Sequence, residues 1–263
     1  MAMRDAVIRA GVIPGPYAIR DEKKRYSEQL SHELAIEVAD ALRACGFTNI
    51  RPIRETIVSG KHKGEVRIVK EKEFQGGLGP KRVDVSYSDD RHGLLLAVTI
   101  KSVNFPSFSK NLKNRFGDLT TEAITLHMRF PFAVVGCLYV MPMTSQTDKG
   151  PNMIMSTFER ASALFATISG RKVYGDPPEQ FEDVTLMLHQ PLQDLSRPEG
   201  VTVKLYRAGR VPEPIEESQY FLGLRELYNL RNPHAMIGEE AEPGETDYEE
   251  RPPENEDEPG RNP

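Results

Sequence analysis

Arg82-Val83-Asp84-Val85-Ser86, a turn over Ser88 to Gly93, and then Gly93-Leu94-Leu95-Leu96-Ala97-Val98-Thr99-Ile100-Lys101-Ser102 form the stretch on which the fold turns. From Lys81 to Ser88, Val83, Val85 and Tyr87 alternate against Arg82, Asp84 and Ser86, the period of a strand with one buried face. The run Leu94 to Val98 is apolar on both faces, as in a central strand covered on both sides. A hairpin centred near Asp89-Asp90-Arg91 sets Asp84 opposite a residue between Ala97 and Thr99. Ala97, Thr99 and Lys101 share one face of their strand, so Asp84 and Lys101 are expected at one patch where the sheet ends.

An acid beside a lysine at a strand end suits Mg²⁺-assisted phosphodiester hydrolysis. The carboxylate holds a hard cation through oxygen, the bound cation generates hydroxide, and the lysine orients water or steadies the phosphorus centre.

Outward from this pair the chain alternates helices and strands. Residues 1–20 carry Gly11, Pro14, Gly15 and Pro16 and are expected to be an irregular arm. From Asp21 to Ala44, Leu30, Leu34, Val38, Ala41 and Leu42 recur at helical spacing, and Gly46 supplies a stop. Glu37 sits at the edge of that stripe, with Glu33 one turn earlier. Asn49 to Val58 reads as a strand, Gly60 and Gly64 as a turn, and Glu65 to Glu73 as a second strand. Gly76-Gly77-Leu78-Gly79-Pro80 is a breaker. Residues 108–129 are helical by the spacing of Leu112, Phe116, Leu119, Ala123 and Leu126, and Pro131 ends them. Phe132 to Met141 is a wholly apolar strand. Ser156 caps a helix over 157–169, Phe181 to Leu188 and Val201 to Tyr206 are strands, and Gln219 to Leu230 is a last helix. The order predicts one α/β domain over 21–238, a mixed central sheet flanked by helices.

Charge divides the chain unevenly. Residues 239–263 hold eleven acids and two arginines, a net of −9, while the whole chain is −5; the body therefore carries 32 basic and 28 acidic residues. That tail is rich in Pro and Gly and nearly free of apolar residues, so disorder is expected. No apolar run approaches the roughly 18 residues of a membrane span, and the N-terminus lacks a signal layout. Cys45 and Cys137 have no metal-ligand spacing and read as two buried thiols in a reducing cytoplasm. Nothing pairs Ser, His and Asp for acyl transfer, and no glycine-rich loop leads into a phosphate-binding lysine.

The run Arg82 to Ser86, the turn, and Ala97-Val98-Thr99-Ile100-Lys101-Ser102 resemble the core of the PD-(D/E)xK nucleases, the superfamily that includes many restriction endonucleases, resolvases and repair nucleases. The helix, strands, helix and strand over residues 21–141 are similar to that family's layout, about half the chain. Two positions depart from the pattern. Val83 replaces the motif proline, and Thr99 stands where the second acid is usual. A subset of the family has Ser or Thr there and takes its acid from the following helix. The resemblance thus implies a restriction endonuclease-like core with Asp84, Glu122 and Lys101 as catalytic residues and Asp84 and Glu122 on Mg²⁺. It leaves Asp118 as an alternative acid and Glu37 or Glu33 as an extra ligand from the first helix. The implied activity is DNA cleavage by a Mg²⁺-dependent endonuclease, in restriction or phage defence, acting on duplex DNA and, for double-strand cuts, as a dimer or larger assembly.

The segment after Lys101 adds contacts suited to nucleic acid. Lys110, Lys113, Asn114 and Arg115 open the helix that carries Glu122 and are expected at phosphates or base edges. Lys61-His62-Lys63 with Arg67, Lys70 and Lys72 is a second basic stretch, read as a solvated hairpin or a hold on a duplex backbone. The rival reading is a catalytically inactive nuclease-fold module that binds nucleic acid or a protein partner, with Thr99 as its support.

Overall fold

The hairpin forms, with one change at its acid. The structure, a computed structural model, describes residues 2–58, 66–69, 72–106, 108–149 and 153–238. In chain order the elements are α1 (Ala2–Arg9), α2 (Arg20–Ala44), β1 (Ile53–Thr56), β2 (Val66–Val69), β3 (Lys72–Gln75), β4 (Pro80–Val83), β5 (Val85–Asp89) and β6 (Gly93–Ser102). There follow α3 (Phe108–His127), β7 (Val134–Pro142), α4 (Thr157–Phe165), β8 (Asp183–Gln190), β9 (Thr202–Arg207), β10 (Glu213–Ile215) and α5 (Glu217–Arg231). The fold is α/β, with a six-stranded sheet in the order β10-β9-β8-β7-β6-β5. The β6–β7 and β7–β8 pairs are parallel and the other pairs in it antiparallel.

An unbroken strand would put Val83 and Val85 on one face. Instead Val83 packs into the apolar cluster that includes α3 and α4, and Val85 into the cluster that includes α1, α2 and α5. The break falls at Asp84, which belongs to neither strand. On its N-terminal side β4 pairs with β3 in a separate ribbon; on its other side β5 joins the main sheet. Opposite the break the ladder stops, and the Ile100 N–H donates to Asp84 Oδ2 at 2.6 Å.

β6 and β7 are buried on both faces, as their apolar runs require. Leu96, Val98 and Ile100 meet the α2 side, and Ala97 meets the α3 side. Helix α2 ends at Ala44 with Cys45 as its cap, and Gly46 follows at φ 107°, a conformation that favours glycine. Ser156 caps α4 in a capping box with Glu159.

Several expectations are corrected. Residues 2–9 are helical because Met3, Ala6 and Val7 form a buried stripe, so only the remainder of the 1–20 arm is irregular. The expected strand over 49–58 is reduced to a bridge between Arg51 and Ser86 followed by β1, which turns away to pair with β2. The alternation over 65–73 is shared by two short strands in different sheets. β10 has no apolar alternation to announce it. Cys137 is buried, but Cys45 is only half-buried; both are free thiols. The turn with Gly60 and Gly64, the Lys61-His62-Lys63 run with Lys70, the Arg67 side chain and the tail 239–263 lie outside the described residues. No described helix is long and apolar enough to cross a membrane.

Candidate active site

Three elements meet at the carboxyl end of β6. The register Val85↔Val98 brings Asp84 beside Thr99, and α3, which follows β6 and leads to the parallel neighbour β7, carries Glu122 over the same strand. Thr99 Oγ1 lies 2.6 Å from Glu122 Oε1 and 3.4 Å from Asp84 Oδ2, so one hydroxyl sits between the two carboxylates. The other oxygen of Glu122, Oε2, lies 3.0 Å from Lys101 Nζ and 2.7 Å from Lys81 Nζ. Glu122 is 2% exposed.

The protonation states follow from these contacts. Burial pushes the Glu122 carboxyl up, but the charges of Lys101 and Lys81 outweigh it and hold it below the usual range. Burial pushes the Lys101 ammonium down, and the charges of Glu122 and Asp84 overcome that and raise it. Glu122 therefore rests as a carboxylate and Lys101 as an ammonium group.

Glu122 meets Lys101 directly and Asp84 reaches the same threonine, but the three do not share one cavity: they open into two adjoining clefts. Asp84 lines a cavity of about 990 Å³ on the α2 side with Arg20, Lys23, Lys24, Arg82 and Asn104. Lys101 and Glu122 line a cavity of about 1050 Å³ on the α3 side with Lys81, Lys113 and Asn114. Asn111 and Arg115 line both, so the first half of α3 is the wall between them. Cations outnumber acids in each cleft: Arg20, Lys23, Lys24, Arg82 and Arg115 face Glu28 and Asp84, and Lys81, Lys101, Lys113 and Arg115 face Asp118 and Glu122. That balance suits a polyanion.

Of the other expected residues, Glu37, Glu33 and Lys110 are placed apart. Glu37 is held by Arg9 and by Arg54, whose Nη2 is 3.1 Å away, and lines neither cleft. Glu33 pairs with Arg9 at 2.9 Å. The reason is helical phase: both lie on the α2 face that meets α1 and β1. Asp118 is exposed and pairs with Arg115 at 2.9 Å. Lys110 is exposed and lines neither cleft, whereas Lys113, Asn114 and Arg115 line them.

Sequence reasoning missed Lys81, which it took as a strand start, and the polar face of α2. That face had a signal: Arg20, Lys23, Lys24, Ser27, Glu28 and Ser31 recur every three or four residues, opposite the apolar stripe. Asn104, in the segment after Lys101 that the sequence placed beside the site, has its amide held between Ser27 Oγ at 3.1 Å and the buried His189 Nε2 at 3.1 Å. Burial pushes His189 down to about 4, so its ring is neutral at pH 7.

Mg²⁺ typically takes one or two carboxylates and completes its shell with water and substrate phosphate. Asp84 and Glu122, two hard-oxygen donors bracketing one hydroxyl beside a cationic cleft, fit that demand. No group of three or more His, Cys, Asp or Glu side chains gathers for a metal among the described residues, so a cage supplied wholly by such side chains is not the arrangement found there.

No protein-family model, no curated protein and no solved structure matches this chain. Its function has to be read from the chemistry of the site.

Proposed function

We propose that this chain is a Mg²⁺-dependent endonuclease that hydrolyses DNA phosphodiester bonds, with a restriction endonuclease-like core. The observation that carries the reading is the meeting of Asp84, Thr99, Glu122 and Lys101 at the end of β6, inside a cationic double cleft. The order α2, a bridge at Arg51, two separate ribbons (β1–β2 and β3–β4), β5, β6, α3, β7 supports it, since apart from the ribbons it is similar to the PD-(D/E)xK layout. Glu122 supplies from α3 the acid that Thr99 does not.

In this reading Asp84 and Glu122 hold Mg²⁺, which when bound supplies an activated water and neutralises charge developing on the phosphate. The chain's own groups do the rest. Thr99 donates to Glu122 Oε1 and fixes the distance between the carboxylates. Lys101 stays protonated against Glu122 and Asp84 and presents a fixed positive charge to the attacking water or the phosphate. Arg115, in the wall between the clefts, and Lys113 with Asn114 beside it hold flanking phosphates. Supercoiled plasmid with Mg²⁺ tests the assignment. The wild type is expected to nick or linearise it, and Asp84→Asn, Glu122→Gln and Lys101→Met each to lose at least about 10²-fold in rate. Equal cutting by all four proteins overturns it.

One observation favours a second reading, a non-catalytic module that binds nucleic acid. Glu122 already has both oxygens engaged, one by Thr99 and the other by two ammonium groups. Tight DNA binding with no divalent-cation binding by calorimetry selects that reading.

A further inference from the structure

Two ammonium groups on one carboxylate oxygen are more than neutrality requires. Lys101 alone balances Glu122, so the second ammonium group on the same oxygen is in excess of what this carboxylate requires. Lys81 Nζ, at 2.7 Å, is also closer to Glu122 Oε2 than Lys101 Nζ at 3.0 Å. Like charges held this close repel, so each lysine stays only while Glu122 has no stronger counter-charge.

The two lysines differ in how they are held. Lys101 is on β6, inside the six-stranded sheet and paired with β7 at Tyr139. Lys81 is on β4, in the two-stranded ribbon, and its side chain is 29% exposed against 21% for Lys101. The backbone below it is fixed: the Gly77 N–H donates to Thr125 O of α3 at 2.8 Å, and a Cβ on Gly77 would lie 2.4 Å from Met128 Cβ. The ribbon therefore stays on α3 and only the flexible Lys81 stem can swing. Its way out leads into the cleft that it lines with Lys113, Asn114 and Arg115.

We infer that Lys81 is the resident counter-cation of Glu122, a placeholder that yields the second carboxylate oxygen to a divalent cation and then serves as a phosphate ligand in the cleft. This rests on the reading of Asp84 and Glu122 as divalent-cation ligands. Substrate phosphate and cation then favour each other. A phosphate in the cleft draws Lys81 off Glu122, and the vacated oxygen takes the cation. Cation loading without substrate is held weak.

Calorimetric titration of Mn²⁺ into the full chain, with no nucleic acid present, tests the inference. Lys81→Met is expected to bind Mn²⁺ at least about tenfold more tightly than wild type, because a unit charge within a few ångströms of the site is removed. Lys113→Met, which removes a charge from the same cleft but not from Glu122, is expected to stay within about threefold, the scale of a screened cleft charge. Glu122→Gln in the Lys81→Met background is expected to abolish the gain. Lys81→Arg, whose planar fork grips a carboxylate more firmly, is expected to bind no more tightly than wild type, and it decides the matter if Lys81→Met fails to fold: tighter binding by Lys81→Arg overturns the inference. So does Lys81→Met binding like wild type or like Lys113→Met. Absence of Mn²⁺ binding by every variant overturns the cation-ligand reading itself.

Discussion

Two buried glutamates on the α3 side of the sheet, Glu122 and Glu182, are built from the same parts and do opposite things. Glu182, just before β8, has Oε1 at 2.8 Å from Arg171 Nη1 and 2.9 Å from Arg231 Nη2, and its Oε2 accepts from the Val135 N–H at 2.7 Å, with His127 Nε2 at 3.3 Å. Burial pushes this carboxyl up, but His127, the Val135 N–H and Arg171 hold it below the usual range, as the lysines do for Glu122. What differs is the partner. Arg171 is 1% exposed, and its guanidinium also donates to Pro131 O and Tyr174 O. It is a rigid fork with several acceptors that ties the 171–174 segment to the sheet, while Arg231 ties α5 to the same carboxylate. Glu122 has lysines, single ammonium groups on flexible stems at the edge of a cleft. A buried carboxylate bound by arginines is a rivet. One bound by lysines beside open space can exchange its partners.

The largest expected effect breaks the rivet. Glu182→Gln leaves two guanidinium groups buried without their counter-charge and is expected to cost about 3–5 kcal/mol, the range for removing one member of a buried ion pair. Urea denaturation measures it. Glu122→Gln is expected to cost only about 1 kcal/mol, since Thr99 keeps its hydrogen bond, the Lys81 ammonium can turn to the cleft and Lys101 keeps the Asp84 charge nearby. Equal losses at the two sites would end the distinction.

A gentler change probes the fork itself. Arg171→Lys keeps the charge but cannot reach Glu182, Pro131 O and Tyr174 O together, and about 2 kcal/mol is expected to be lost through the unmet carbonyls. Acid titration reads what the two glutamates share. Both glutamates have depressed folded-state values, so their stabilising contributions are present above the ordinary glutamate range and are lost as pH falls through the lower folded-state values. Glu182→Gln and Glu122→Gln are each expected to flatten the fall of stability with acid in that window. A slope unchanged by Glu182→Gln would mean that its carboxyl is not depressed.

The rivet and the exchangeable site were unequally legible. β6, α2, α3 and β7 came from apolar period and helix stops, because burial acts directly on those residues. So did the placing of Asp84 near Thr99, which needs only a hairpin register. The break at Asp84 was hidden, since alternation through Val83 and Val85 is the same whether the chain runs straight or passes from one sheet to another. Lys81 was hidden for the same reason: its partner depends on that change of sheet. Glu182 gave no signal, because its partners at 127, 171 and 231 are brought together only by the tertiary fold. Glu37 was misplaced by phase, as the edge of an apolar stripe can face either a cleft or another helix.

The smallest effect separates the surfaces around the two glutamates. If the cleft beside Glu122 is where a nucleic-acid backbone lies, Lys113 there contacts a phosphate and Lys172, exposed next to Arg171, does not. Each phosphate neutralised steepens the dependence of log affinity on log salt by about 0.9 for duplex DNA. Binding of a labelled duplex, followed by fluorescence anisotropy in Ca²⁺ over a range of salt, should therefore show a slope shallower by about one for Lys113→Ala. Lys172→Ala should leave the slope unchanged. Lys110→Ala, on the same helix as Lys113 but outside both clefts, should behave like Lys172→Ala, although the sequence grouped it with Lys113. A slope change of equal size at all three lysines would mean that charge attracts the polyanion over the whole surface and that the cleft does not select where it lies.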